Sequence, residues 1–198
     1  TLTAGTGINN YLILQQGPIG SDKQSILTEW YKQALLRGAL VSVKNELYVN
    51  LSLSLENIKS HYRKSYKPFI NKGLKAWQHF QINSENLENN KWVEFKLFHK
   101  LIAKRVTRSD FTWKIQYRMI EEKKGFLILL RDFESNKLVG GGFFAHNAFE
   151  GQYAVGVYDR GLFDKPLGHV VQQLAIEHMK SLVLKWYKLG DRPYSDNG

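Results

Sequence analysis

Cysteine is absent from the 198 residues. That excludes a disulfide framework and thiolate metal sites within this stretch and fits a reducing compartment, with the cytoplasm as the default expectation. No apolar run approaches the roughly 20 residues that cross a bilayer, and the N-terminus lacks a charged stretch followed by an apolar one. A soluble protein without a transmembrane segment is therefore expected. His61, His79, His99, His146, His169 and His178 are dispersed and form no H-E-x-x-H pair, so no metal site is expected. No G-x-S-x-G elbow occurs, and Gly140-Gly141-Gly142 lacks the rest of a P-loop or a dinucleotide fingerprint. Three glycines inside a strand point instead to a bulge or to close approach of another backbone. Acidic residues are also scarce, 18 against 28 Lys and Arg, which leaves a formal charge of +10. Such an excess favours an anionic partner: nucleic acid, a phosphorylated cofactor or an anionic membrane surface.

What is present suffices for a folded core, with 43% apolar and 13% aromatic residues. The most legible stretch runs from Lys123 to Gly190. Gly125 to Arg131 is an apolar strand, Phe133 to Asn136 a polar turn, and Lys137 to His146 a second strand. Asn147 to Gly151 turns into a third strand, Gln152 to Tyr158, which breaks at Asp159-Arg160-Gly161. Pro166 then opens a helix to Leu182 with apolar residues near the helical period, and Lys185 to Leu189 closes the unit as a strand. A strand feeding a glycine-containing loop and a helix is a place where backbone N–H groups meet an anion.

Upstream, Tyr11 to Gln15 is a strand candidate, Gly17 to Gly20 a turn, and a helix runs from Ser21 or Asp22 to Gly38. Ala39 to Val43 and Tyr48 to Leu53 are further strand candidates. Ser54 opens a basic helix, Leu55 to about Asn71, which Pro68 is expected to kink or end. It carries Lys59, His61, Arg63, Lys64, Lys67 and Lys72 with Tyr62, Tyr66 and Phe69 among them. Basic residues interleaved with aromatics suit phosphate contact and base stacking, while a solvated lysine face over buried aromatics is the plainer reading. Leu74 to Ile82 alternates like a strand. Helices are expected over Trp92 to Val106, with Val93, Phe95, Leu97, Phe98, Leu101 and Ile102 apolar and Lys96, Lys100 and Lys104 outside, and over Phe111 to Glu122. From Leu74 the order reads β, α, α, β, β, β, α, β.

That order is similar to the core of the GNAT acyltransferase fold, in which the loop after the fourth strand holds the donor's pyrophosphate at a helix N-terminus. The local sequence resembles the Fem-type peptidyltransferases more closely. Tyr11 to Pro18 (YLILQQGP), Tyr48 to Gly73, Val139-Gly140-Gly141 with Tyr153 and Tyr158-Asp159, and Gly168 through Gln173-Leu174-Ala175-Ile176 to Lys185-Trp186-Tyr187-Lys188-Leu189-Gly190 carry the resemblance in order. It implies a mixed α/β fold, a mainly antiparallel central sheet flanked by helices with an N-terminal α/β segment of Fem type. Residues 1–72 are expected to form that N-terminal segment, a remnant of a first half plus the connecting helix, and residues 73–198 the core. The sequence stops short of the last helix and strands of a complete core, so a domain boundary at that end, or strands supplied from the N-terminal part, is expected.

The implied activity is amide-forming acyl or aminoacyl transfer to an amine on a cell-envelope or glycan precursor, in the cytoplasm or at the inner membrane surface, with peripheral membrane contact. The usual R/Q-x-x-G-x-G/A loop of acetyl-CoA enzymes is replaced by Arg160 to Gly168 with different spacing, Asn50 stands where the family often has Asp, and Lys188 where its last strand carries Asp. Positive charge and the basic helix favour aminoacyl-tRNA as donor; acyl-CoA stays open, with transfer to a small amine or amino sugar, as does a non-catalytic binding module that retains the fold. No covalent enzyme intermediate is needed, because an activated ester or thioester supplies the driving force. The resemblance places proton handling on Asp159, Tyr153 and Asp191, and donor phosphate or the tRNA acceptor end on Arg160, Lys165, Gly168 and His169. Backbone N–H groups around Val155 to Val157 would polarise the carbonyl, and Trp92, Trp113, Gln116 and Tyr117 would form an acceptor pocket, core packing being the plainer reading of those aromatics.

Overall fold

In the computed structural model, residues 33, 35–38 and 44–193 are described, the side chains of 44, 45 and 191–193 excepted. The strand and turn expected at 11–20, most of the following helix and the strand at 39–43 lie outside them. The chain divides into two compact units, Thr1–Val43 and Lys44–Gly198. Residues 44–72, grouped on sequence with the N-terminal segment, lie in the second.

That unit is one six-stranded sheet with five helices among its described residues. In chain order these are β1 (Lys44–Asn50), α1 (Leu55–Ser60), α2 (Tyr66–Ala76), β2 (Trp77–Ile82), α3 (Asn89–Ala103), α4 (Asp110–Glu121), β3 (Gly125–Asp132), β4 (Leu138–His146), β5 (Glu150–Tyr158), α5 (Leu167–Ser181) and β6 (Trp186–Pro193). The strands lie in the order β1-β6-β5-β4-β3-β2. Every neighbouring pair is antiparallel except β5 and β6. Strand β1 covers the far edge of β6, so the segment before the core supplies the strand beyond its last one.

Local chemistry sets the ends of these elements. The Ser54 hydroxyl accepts the Asn57 N–H and that of Ser109 accepts the Thr112 N–H, which starts α1 and α4. The carboxylate of Asp132 gathers the N–H groups of Glu134 and Ser135, and the Asn147 side chain gathers those of Phe149 and Glu150, forming the two hairpin turns. The basic helix departs from expectation. It breaks at residues 61–65, ahead of Pro68, which then sits in the first turn of α2, where its missing N–H has no intrahelical partner to lose. Helix α2 continues through Gly73 to Ala76 because Gly73 lets it approach α5: a Cβ there would lie 2.3 Å from Val170 Cγ2. Strand β2 consequently begins at Trp77 rather than Leu74.

Both faces of the sheet are covered. Phe126, Ile128 and Leu130 of β3 pack toward Val170, Val171 and Met179 of α5. Leu127 and Leu129, pointing the other way, meet Trp92 and Phe95 of α3 and Trp113 and Ile120 of α4. That explains why β3 reads as an unbroken apolar run. On α3, Phe95 and Phe98 are buried as expected, but Val93, Leu97 and Leu101 face outward.

The glycine triplet allows close approach. A Cβ at Gly141 would sit 2.7 Å from the Ile128 carbonyl oxygen on β3 and 3.3 Å from the Phe95 ring. Backbone cannot yield as a side-chain tip does. Gly141→Val should therefore destabilise the fold by about 2–3 kcal/mol through overpacking, read as a lowered urea midpoint with an unchanged slope. An unchanged midpoint would refute the close packing.

Candidate functional site

Strands β5 and β6 pair over only three positions, Glu150 with Trp186, Gly151 with Tyr187 and Gln152 with Lys188. Beyond them β5 stays with β4 and β6 stays with β1. Each strand carries an irregularity near the parting. Ala154 is an extra residue in the β4–β5 ladder, and Leu189 is an extra one in the β1–β6 ladder. A bulge adds local twist and frees backbone groups from the ladder. The result is a wedge whose β5 wall, residues 153–158, has no strand partner on the β6 side.

A cavity of about 680 Å³ fills the wedge on the α5 side. Its walls come from β1 and the turn after it, α1, α2, the first turns of α5, and the parted strands. Rings dominate the lining: Tyr48, Tyr62, Tyr66, Tyr153, Tyr158, His61 and His169. Among the described residues no carboxylate lines it. The Tyr153 and Tyr158 hydroxyls lie 3.0 Å apart, the Tyr62 hydroxyl donates to Gln173 Oε1 at 3.0 Å, and the Tyr187 hydroxyl donates to Gln172 Oε1. Gln173 in turn donates to Glu177 at 2.6 Å, which also meets Lys59 Nζ at 3.3 Å. The buried carboxamide is thus fixed from both ends.

Burial sets the protonation state of these phenols. It pushes Tyr62 up to about 12, with Glu177 adding to the shift. Tyr153, Tyr158 and Tyr187 are raised for the same leading reason. All four are neutral hydrogen-bond donors at ordinary pH and are unsuited to act as bases. Gly156 keeps Tyr153 in place: a Cβ there would fall 1.5 Å from the Tyr153 hydroxyl oxygen.

A second cavity, about 220 Å³, is lined by His99, Ile102 and Ala103 of α3, Gly156, Val157 and Tyr158 of β5, and Arg160 and Phe163 of the loop. Tyr158 lines both cavities. Arg108, between α3 and α4, holds this side together. Its Nη2 donates to the Ala154 carbonyl at the bulge, 3.2 Å, and its Nη1 lies 3.3 Å from His99 Nε2. Burial first, then the Arg108 charge, lowers His99, so its imidazole is neutral, with Nε2 accepting from the guanidinium.

The residues singled out on sequence are only partly brought together. Tyr153, Gly168 and His169 line the larger cavity, His169 with its ring 4.6 Å from that of Tyr66. Arg160 lines the smaller one, whereas Lys165 is exposed and pairs with Asp164 at 2.9 Å. Asp159 caps the turn at 160–162: its carboxylate accepts the Gly161 N–H at 2.9 Å, and it lines neither cavity. The backbone of Asp191 pairs with Glu46 in β6, and its side chain lies outside the described residues. Trp92, Trp113 and Gln116 are buried, and Tyr117 partly so, in the aromatic core between α3 and α4. They line neither of the two cavities described, because the helical spacing that puts them on the inner faces of α3 and α4 turns those faces to the sheet. Gln116 Oε1 is buried there without a hydrogen-bond partner among the described residues. Lys188 is buried and ion-paired with Glu46.

Some lining residues escaped sequence reasoning. Gln172 and Gln173 interrupt an apolar helix face, whereas Tyr62 and Tyr66 belong to the basic, aromatic stretch noted above; only the parting of β5 and β6 makes a cavity of them. His99 and Arg108 left no pattern at all.

No family model matches this chain, and no curated protein does. Among solved structures it is similar to FemX, with 8% identity and a TM-score of 0.65 over 87% of this chain and 62% of that one. It is also similar to L-PGS from Bacillus licheniformis, with 12% identity and a TM-score of 0.59 over 80% and 48%. The C-terminal domain of a putative lysylphosphatidylglycerol synthetase from Agrobacterium fabrum matches with 10% identity and a TM-score of 0.60 over 77% and 48%. The chain spans about half the length of the last two. At such identities the likeness is one of fold, and the fold is the Fem-like, GNAT-like form of the acyl-CoA N-acyltransferase fold.

The buried phenols make stability sensitive to alkali. The unfolded chain ionises tyrosine near pH 10, while these four hold their protons to higher pH when folded. Their contribution is complete below about pH 10 and is lost as pH rises beyond it, through about 12 for Tyr62. A phenolate absorbance titration should show Tyr62, Tyr153, Tyr158 and Tyr187 ionising only as the protein unfolds. All ten tyrosines titrating together near pH 10 would contradict this.

Proposed function

We propose that this chain carries out, or contributes the catalytic fold of, acyl transfer from an adenosine-bearing donor to an amine. The observation that supports the reading is the pair of cavities on either side of the free β5 edge, with Tyr158 lining both. Two substrates entering from opposite sides would meet at one strand, which is the geometry a direct transfer needs. An aminoacyl-tRNA end and an acyl-CoA share an adenosine, a phosphate and an activated acyl group. The larger cavity suits that shared chemistry. Its size is right for a nucleoside-sized ligand, its tyrosine and histidine rings offer stacking faces, and Lys67 and Lys72 lie on the same helix as its Tyr66 wall. Pro166 caps α5 without a side-chain hydrogen bond, which leaves the N–H groups of Gly168 and His169 for a phosphate oxygen.

In the reaction the acceptor nitrogen attacks the acyl carbonyl carbon, and the C–O bond of an ester or the C–S bond of a thioester breaks. Among the backbone N–H groups of β5 around Val155 to Val157, those turned away from β4 toward the edge that β6 has left polarise the carbonyl. The Tyr153–Tyr158 pair, held protonated by burial, donates a hydrogen bond to the leaving atom as charge develops on it. The amine's proton passes to His169 or to water; Asp159, committed to its turn, positions the loop. The smaller cavity, with neutral His99 and Arg160 at its rim, receives the acceptor. Of the two donors, the lysine-rich α2 favours aminoacyl-tRNA, and the acceptor is then an amine on a cell-envelope or glycan precursor.

A thermal-shift titration at low salt with acetyl-CoA, coenzyme A and aminoacylated tRNA in parallel tests the reading. A ligand at about a hundredfold its Kd should add about 2.7 kcal/mol to stability. A shift with tRNA alone, weakening steeply as salt rises, is the expected result; a shift with coenzyme A alone would move the assignment to small-acyl chemistry. With the donor so identified, Tyr158→Phe should lower kcat about a hundredfold with little change in KM, as for loss of one oxyanion donor. No shift with any donor would leave a binding module with this fold.

A further inference from the structure

Helix α3 is apolar on two sides. One side carries Trp92, Phe95 and Phe98 into the core. The other carries Val93, Leu97 and Leu101, at i, i+4 and i+8, which are 40%, 58% and 69% exposed. The pattern continues past the helix: Val106 is 77% exposed, and on α4 Phe111 and Ile115, again four apart, are 72% and 44% exposed. A helix side that met only water would be polar at these positions. Single exposed apolar residues are ordinary, but aligned stripes on consecutive helices mark an interaction surface.

The polar residues set between these stripes are basic. Lys96 Nζ lies 2.7 Å from Asp110 Oδ1 at the start of α4, and Lys100 and Lys114 also act on that carboxylate, so three cations gather around one anion. Residues 89–124 hold ten Lys and Arg against four Asp and Glu. This combination narrows the partner. Of the six exposed apolar side chains only Phe111 offers a stacking face for bases, the other five being aliphatic, which argues against nucleic acid. Buried protein interfaces are depleted in lysine at their centres, which argues against a protein groove. Apolar stripes with lysines running alongside suit an anionic bilayer, where aliphatic side chains enter the acyl boundary and lysine stems reach back to the headgroups.

We infer that α3 and α4 form a peripheral docking face for an anionic lipid surface. Helix α3 also supplies His99 to the smaller cavity, so the docking face and that cavity share an element. The inference does not depend on acyl transfer, because vesicle binding is read without any reaction.

The test is flotation of the full chain with phosphatidylcholine vesicles and with equimolar phosphatidylcholine and phosphatidylglycerol vesicles. Binding is expected to the second and not the first, weakening as salt shortens the screening length. Lys96→Gln/Lys100→Gln/Lys114→Gln should lower partitioning about a hundredfold, at about fivefold per lysine. Leu97→Ser/Leu101→Ser/Phe111→Ser should lower it at least tenfold. All six side chains are at least partly exposed, and unchanged thermal unfolding verifies that the variants fold. Equal binding to both vesicle types, or full binding by both variants, would overturn the inference. So would a dimer that the serine variant dissolves without any vesicle binding, or RNA bound through these residues in place of vesicles.

Discussion

The candidate site exists because two neighbouring strands stop pairing. β5 and β6 share three residue pairs and then follow different partners, and the extra residues Ala154 and Leu189 bend each away from the other. A sheet that parts in its middle exposes backbone donors and acceptors that must find other partners. Here the gap is lined instead of closed, by α1 and α2 on one side and by the Arg108 contact with the Ala154 carbonyl on the other. Strand β1 makes this possible, since by pairing with the far edge of β6 it leaves that strand anchored after β5 has left it.

The lining follows from the same constraint. A cavity walled mostly by rings and aliphatic groups gives buried polar atoms little water, and those in and behind its wall pair with one another: Tyr153 with Tyr158, Tyr62 with Gln173, Tyr187 with Gln172. Desolvation then fixes the tyrosines as neutral donors. Asp159, one of the three residues expected on sequence to handle protons, caps the turn that ends β5. The chemistry proposed for the site therefore leans on phenols and backbone N–H groups, with His169 as the nearby proton acceptor.

Much of the fold could be read in advance because its signals are local. The run from Gly125 to Leu189 is punctuated by Asp132, Asn147, Asp159 and Pro166, each of which acts on backbone within a few residues, and the order of strands and helices there was legible. The basic helix was misread where a tertiary contact decides. Its break at 61–65 and its continuation past Pro68 serve the docking of Gly73 against Val170, a contact nearly a hundred residues away in sequence. Likewise Leu97 and Leu101 looked like core from composition, since periodicity shows that a residue is apolar without showing what covers it.

The amino-acid sequence by itself determined the strand and helix types, the turns, the positive charge, and the pairing of a strand end with a following helix as the place to look. Those properties depend on side-chain chemistry and on neighbours within one turn or one hairpin. Only the tertiary structure decided that β5 and β6 part, that Tyr62, Tyr158 and Gln173 meet across the gap while Trp92 and Trp113 turn to the opposite face, and that His99 and Arg108 approach the bulge. These depend on register and on which sheet face each helix covers, and a one-residue change in register reverses both.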